Sequence, residues 1–341
     1  MSLILTFVLV LGPLIFFHEL GHFLVTKAVG VKVHEFALGI GPALFKRRWG
    51  ETVYSLRILP LGGFNRVAGL DEPDDPEDEV SETDDRSFLN RPLWQRVAMI
   101  AAGPAMNFLL AILLLSGYFA FVVIPPTVQG VVPNSPAHQG GLLPGDVILQ
   151  VDGTEITSIT ELNQVVRSKE GVPLDLLIER QGQRQTLQVT PQRDPGDDVV
   201  RLGISVWEKP RLGLWDSVRV GTLRTWQMTW DLVMALVGMI TGRVEAELSG
   251  PIGIVQVVGQ SAQMGGAYVL FLTAVLSINL GLFNLLPIPV LDGGWITLFI
   301  WEALRGKPIP AEHKGTAQMI GLVLLLALVL FATAQDLRRL F

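Results

Sequence analysis

Two histidines and a glutamate at His18-Glu19-Leu20-Gly21-His22 form an H-E-x-x-H pattern. On a helix, residues i and i+4 lie about 40° apart and one turn apart on a single face. Both imidazoles can therefore reach one zinc ion, with Glu19 beside it as a general base. In a soluble chain five residues would be a weak signal. Here they sit in an apolar stretch, residues 1–26, with no Asp, Glu, Lys or Arg before His18. Ionisable groups within a membrane span cost about 2.5–3.5 kcal/mol or more each and mark function by default. The blander alternative is a polar helix contact or a hydrogen-bonded histidine pair.

A catalytic zinc usually takes three protein ligands and leaves a fourth position open. His34, His138 and His313 fall in expected loops or in the domain between spans. Asp292 is the better candidate, in the run Asn284-Leu285-Leu286-Pro287-Ile288-Pro289-Val290-Leu291-Asp292-Gly293-Gly294. It closes a 44-residue charge-free stretch, residues 248–291. Pro287 and Pro289 break a helix, and irregular backbone at membrane depth is tolerated only where it lines a protein cavity. The alternative for Asp292 is a helix-end residue at the interface.

The elements that must carry these residues follow from where charge is missing. Of 341 residues only 17% are charged, against about a quarter in an ordinary soluble protein. Residues 97–124 and 315–335 are also charge-free. With the N-terminal stretch this predicts four transmembrane helices, at 1–26, 97–124, 266–294 and 316–335. The N-terminus lacks the basic region and cleavage site of a signal peptide. Zero cysteine excludes a disulfide framework, cysteine zinc sites and a thiol nucleophile. Residues 25–96 hold ten Lys and Arg and residues 293–314 hold three, which places loops 27–96 and 295–315 in the cytoplasm and both termini outside.

Residues 125–210 have soluble composition and read as short strands interrupted by one helical pattern, ITELNQVVRS, an extracytoplasmic α+β domain. The run PAHQGGLLPGDVILQVDG at 136–153 resembles the PDZ domains attached to bacterial envelope proteases. Such a domain takes an extended peptide by strand addition, or serves only to exclude folded bulk. Residues 211–265 hold an amphipathic stretch with Trp215, Trp226 and Trp230, read as lying at the outer interface, with a re-entrant helix as the alternative. The run 71–85 carries ten acidic residues and no basic one; it reads as a solvated loop or a docking element.

HELGH in the first span together with NLLPIPVLDGG near the inner end of a later one resembles the site-2 protease family of intramembrane zinc metalloproteases. The single PDZ-like domain points to its bacterial RseP-like branch. The segments Gly39-Ile40-Gly41-Pro42, Leu59 to Phe64 (LPLGGF), Gly103 to Asn107 (GPAMN) and Leu248 to Ile254 (LSGPIGI) also look like family segments. The resemblance implies that His18, His22 and Asp292 bind Zn2+, that Glu19 is the acid/base, and that Asn284 helps hold substrate backbone. In that family a β-hairpin-like loop dips into the membrane and pairs with extended substrate. Residues 51–59 alternate as a strand, so Tyr54, Leu56 and Ile58 are the expected substrate-binding positions, the alternative being a plain cytoplasmic hairpin.

The fold class expected is thus a polytopic α-helical membrane protein with four transmembrane helices, a membrane-associated β-hairpin and an inserted PDZ-like domain. It is expected in a bacterial cytoplasmic membrane, its active site toward the cytoplasm. The expected partners are the lipid bilayer, single-span membrane proteins as substrates and a peptide at the PDZ-like domain, with no nucleic acid. A PDZ-bearing adaptor and a metal transporter are the readings from other classes.

Overall fold

The computed structural model describes residues 3–71, 84–122, 124–193, 199–209, 212–243, 250–307 and 310–340. Most of the acidic run, residues 72–83, lies outside them, as do residues 248 and 249 of the LSGPIGI segment. The chain divides into two units, residues 1–116 with 218–341, and residues 117–217.

The first unit begins with helix α1, Leu3–Ala28, followed by strands β1, Val33–Trp49, and β2, Thr52–Val67. Helix α2, Leu93–Phe121, comes next. Among the described residues, four helical stretches are long and apolar enough to cross a membrane. They are Val8–Ala28, Leu93–Phe121, Gly266–Asn284 and Gly315–Arg338.

β1 and β2 make more than a simple hairpin. Ala43 to Trp49 pair with Arg57 back to Thr52, and Val33 to Leu38 pair with Val67 back to Gly63. Residues 35–38 additionally face residues 53–56. Tyr54 and Leu56 therefore have a partner on each side, with Phe36 and Arg47 beside Tyr54 and Leu38 and Phe45 beside Leu56. They are not on a free edge, which corrects the expectation that they offer main-chain groups to substrate. Ile58 lies just past this double pairing and is exposed. Residues 63–65, by contrast, have strand partners on one side only among the described residues.

This small sheet is held by a buried charge cluster. Glu35 accepts from Ser55 Oγ at 2.5 Å and Arg57 at 2.8 Å. The Arg57 and Arg66 guanidiniums lie 4.8 and 5.7 Å from the Phe64 ring centre. Val67 joins Met99 of α2 and, further along the chain, Phe299 in one apolar cluster with Val31 and Phe88.

The second unit contains β3 (Ile124–Val131), α3 (Pro136–Gln139), β4 (Val147–Val151), β5 (Thr154–Glu155), α4 (Ile159–Ser168), β6 (Leu174–Arg180) and β7 (Gln183–Val189). The short strands β8 (Gln192–Arg193) and β9 (Val200–Arg201) precede β10 (Ile204–Lys209). The main sheet has the order β10-β3-β4-β6-β7, with β5 on β4. Gln181 and Gly182 close the β6–β7 hairpin with φ of 52° and 79°, the left-handed pair that suits the twist of a two-residue turn. Leu174, Leu176 and Ile178 of β6 and Leu162 and Val166 of α4 are buried in a common core. Asp146 is buried, clamped by Arg180 through two 2.7 Å bonds and by the Leu143 N–H at 2.8 Å.

Helix α5, Leu214–Ile240, carries the chain back to the first unit, followed by α6 (Pro251–Met264), α7 (Gly266–Asn284), α8 (Asp292–Arg305) and α9 (Ala311–Leu340). The expected third span to residue 294 is shorter than its apolar run. It ends at Asn284 because Pro287 and Pro289 can neither donate to a helix nor let the preceding residues be helical. Asp292 instead opens α8, so residues 295–305 are helical and not the loop expected there. α6 has no side-chain cap of its own; Asp336 of α9 accepts from the Gly250 and Gly253 N–H groups at 3.1 and 2.8 Å.

Candidate metal centre

His18 and His22 face the same side of α1, one turn apart, with their Nε2 atoms 3.2 Å from each other. Asp292 Oδ2 lies 3.2 Å from His18 Nε2 and 3.4 Å from His22 Nε2. The three side chains are 12–16% exposed. A tetrahedral zinc ion with ligand bonds of about 2.0–2.1 Å keeps its ligand atoms about 3.3–3.4 Å apart. The triangle fits that ion without rearrangement. Asp292 Oδ2 is buried with no hydrogen-bond partner, the state of a carboxylate oxygen that a cation would satisfy.

The surroundings of His22 fix its imidazole in the tautomer a metal needs. His22 Nδ1 is 2.9 Å from the Met99 carbonyl, so it carries the proton and leaves the Nε2 lone pair free. His18 Nδ1 is 3.1 Å from the Asn107 amide, whose Oδ1 is buried without a partner. Ser277 of α7 donates to the Asn107 carbonyl at 2.7 Å, tying a fourth helix to the site after α1, α2 and α8.

Glycines allow the close approach. A Cβ on Gly21 would stand 2.2 Å from the Ala102 carbonyl oxygen, so α1 and α2 cross with almost no side chain between them. Gly293 and Gly294 are pressed in the same way against the carbonyls of Leu285, Leu286 and Ile288, which sets the start of α8. Val290, two residues before Asp292, has φ 96°, a strained conformation for a β-branched residue and one found at functional sites.

Glu19 lines the same cavity of about 320 Å³ as the three candidate ligands, together with Gly63, Asn65 and Asn284. Asn65 Nδ2 donates to Glu19 Oε2 at 2.7 Å and to its main-chain oxygen at 2.9 Å. Tyr54, Leu56 and Ile58 do not line this cavity. Tyr54 packs instead among Phe23, Phe36 and Trp49. Asn65 and the individual role of Asn107 escaped sequence reasoning. Asn107 sits within the GPAMN segment, but nothing in the spacing of Asn65 connects it to Glu19. His34 is buried within β1, away from the cavity lining.

The sequence profile of peptidase family M50 matches residues 6–328. The zinc metalloprotease RasP of Geobacillus kaustophilus is 34% identical over 99% of this chain and 98% of its own. The regulator of sigma-W protease RasP of Bacillus subtilis is 31% identical over 99% of both. Among solved structures, the PDZ domain of an SdrC-like protein from Listeria monocytogenes covers 25% of this chain and 90% of its own, at 20% identity and a TM-score of 0.23.

Proposed function

The chain belongs to peptidase family M50, the site-2 protease family of zinc metalloproteases, and from that premise we propose that His18, His22 and Asp292 hold the zinc ion and Glu19 is the acid/base. The observation that carries this reading is the triangle of ligand atoms 3.2–3.4 Å on a side, drawn from α1 and α8, with Glu19 in the same cavity. Family membership favours a protease over the adaptor and transporter readings.

Zinc, when bound, supplies a Lewis acid that polarises a carbonyl and acidifies water. Glu19 takes a proton from the attacking water and returns it to the leaving amine, a contribution of about 10²- to 10⁴-fold. Asn284 contacts the substrate main chain from the end of α7. A transmembrane helix must unwind before its carbonyls can be attacked, and an extended segment needs new main-chain partners. Residues 63–65, paired along one side by residues 36–38 and adjoining Glu19, support that pairing.

The substrates are single-span membrane proteins, of the anti-sigma-factor or remnant-signal-peptide kind. The name of the Bacillus subtilis relative, which links proteolysis to sigma-W regulation, supports a role in regulated intramembrane proteolysis. The distribution of Lys and Arg supports a bacterial cytoplasmic membrane protein with its active site toward the cytoplasm and the PDZ-like unit outside. That unit binds a peptide or limits access to trimmed substrates. The deciding experiment compares wild type with Glu19→Gln in a reconstituted cleavage assay, with zinc measured in both. Zinc retained and cleavage abolished is expected; persistent cleavage removes Glu19 from the mechanism.

A further inference from the structure

A glutamate on a helix can swing through several rotamers, and a base that wanders is seldom where the proton must be taken. Asn65 removes that freedom. Its Nδ2 donates to both the main-chain oxygen and the Oε2 of Glu19, at 2.9 and 2.7 Å. Both amide hydrogens thus end on one residue. The remaining atom, Oδ1, is buried with no hydrogen-bond partner, so no competing contact sets the amide's orientation.

The segment that carries Asn65 is itself held firmly. Gly63 lies so near Glu19 that a Cβ there would be 2.7 Å from its Cγ. Phe64 has guanidiniums within 4.8 and 5.7 Å of its ring centre, and one of them, Arg57, bonds the buried Glu35. Asn65 is therefore presented to Glu19 from a braced strand and not from a loose loop.

We infer that Asn65 is the positioning residue of the general base, holding one carboxylate oxygen of Glu19 so that the other is left for the reacting water. This rests on the assignment of Glu19 as acid/base and adds the group that aims it. Two variants of the full-length protein test it, Asn65→Ala and the isosteric Asn65→Asp, each assayed for kcat, KM and bound zinc.

Asn65→Asp keeps the shape and the orphan acceptor but replaces both donors with a carboxylate facing Glu19. The expected result is a kcat about 10- to 100-fold lower in Asn65→Ala and lower still in Asn65→Asp. KM should stay within about threefold and zinc content at the wild-type level, since Asn65 touches none of the three ligands. An Asn65→Asp enzyme with wild-type kcat overturns the inference, as does a loss in either variant that tracks lost zinc. Glu19→Gln run in parallel separates the two failures. If Glu19→Gln is inactive while Asn65→Asp is normal, only the role of Asn65 falls; if Glu19→Gln cleaves, the acid/base assignment falls first.

Discussion

Gly103 of α2 leaves the space that His22 of α1 occupies: a Cβ at residue 103 would stand 2.2 Å from His22 Nε2, the proposed metal-binding atom. Gly103→Ala should therefore displace the imidazole and lower zinc content and cleavage together. Metal analysis of the purified variant checks this, and a fully loaded Gly103→Ala protein would show that the helices can move apart.

Asp292→Asn keeps the shape of the proposed third ligand and removes its charge. The Oδ2 atom lies 3.2 and 3.4 Å from the two Nε2 atoms, so its loss should weaken zinc binding as well as cleavage. A chelator competition series should show the variant releasing zinc at lower chelator concentration than wild type, whereas Glu19→Gln should release it no more easily.

Gly63→Ala should act on the base and not on the metal. The added methyl would meet Glu19 Cγ at 2.7 Å and the Ala37 carbonyl at 2.9 Å, and a backbone oxygen cannot yield as a flexible side chain can. Cleavage should fall by at least about 100-fold, the scale of a displacement of about 1 Å at a reacting group, with zinc content unchanged.

In the PDZ-like unit, burial alone would push the Asp146 carboxyl up, but the Arg180 side chain and the Leu143 N–H outweigh it and hold its pKa below the ordinary value. The unfolded carboxyl titrates near 3.9. The pair's contribution to stability is therefore full above about pH 4 and is lost as pH falls through the lower folded value. Hydrogen exchange of the β6 amides should show protection constant above that point and declining below it. Asp146→Ala, which leaves the partly exposed Arg180 only its bond to the Gly141 carbonyl, should lower protection at pH 7 by about 1.5–3 kcal/mol.

Asp336 caps α6 from another helix. Asp336→Ala leaves the Gly250 and Gly253 N–H groups without that acceptor and should destabilise α6 by about 1–2 kcal/mol. Faster hydrogen exchange at residues 250–254, with exchange in α1 unchanged, is the expected signature.

Much of this was legible before any coordinates. The spacing of His18 and His22 sets their common face whatever the fold, because helix geometry is local. The strands of residues 174–180 and the helix of residues 159–168 follow from their periodicity, whereas the end of the third span at 284 was not legible, because an apolar run continues past it to 291. The double pairing that seals Tyr54 and Leu56 was not legible. An alternating pattern reports a strand but says nothing of how many neighbours it has.

By itself the sequence determined which groups were available: two imidazoles on one helical face with a carboxylate next to one of them inside an apolar span, and an aspartate at a proline-broken end. Only the tertiary structure decided which groups meet. The crossing of Gly21 with α2, the turn that starts α8 at Asp292, and the strand that brings Asn65 to Glu19 are contacts between distant segments. Such contacts depend on packing and close approach, which no local residue pattern encodes.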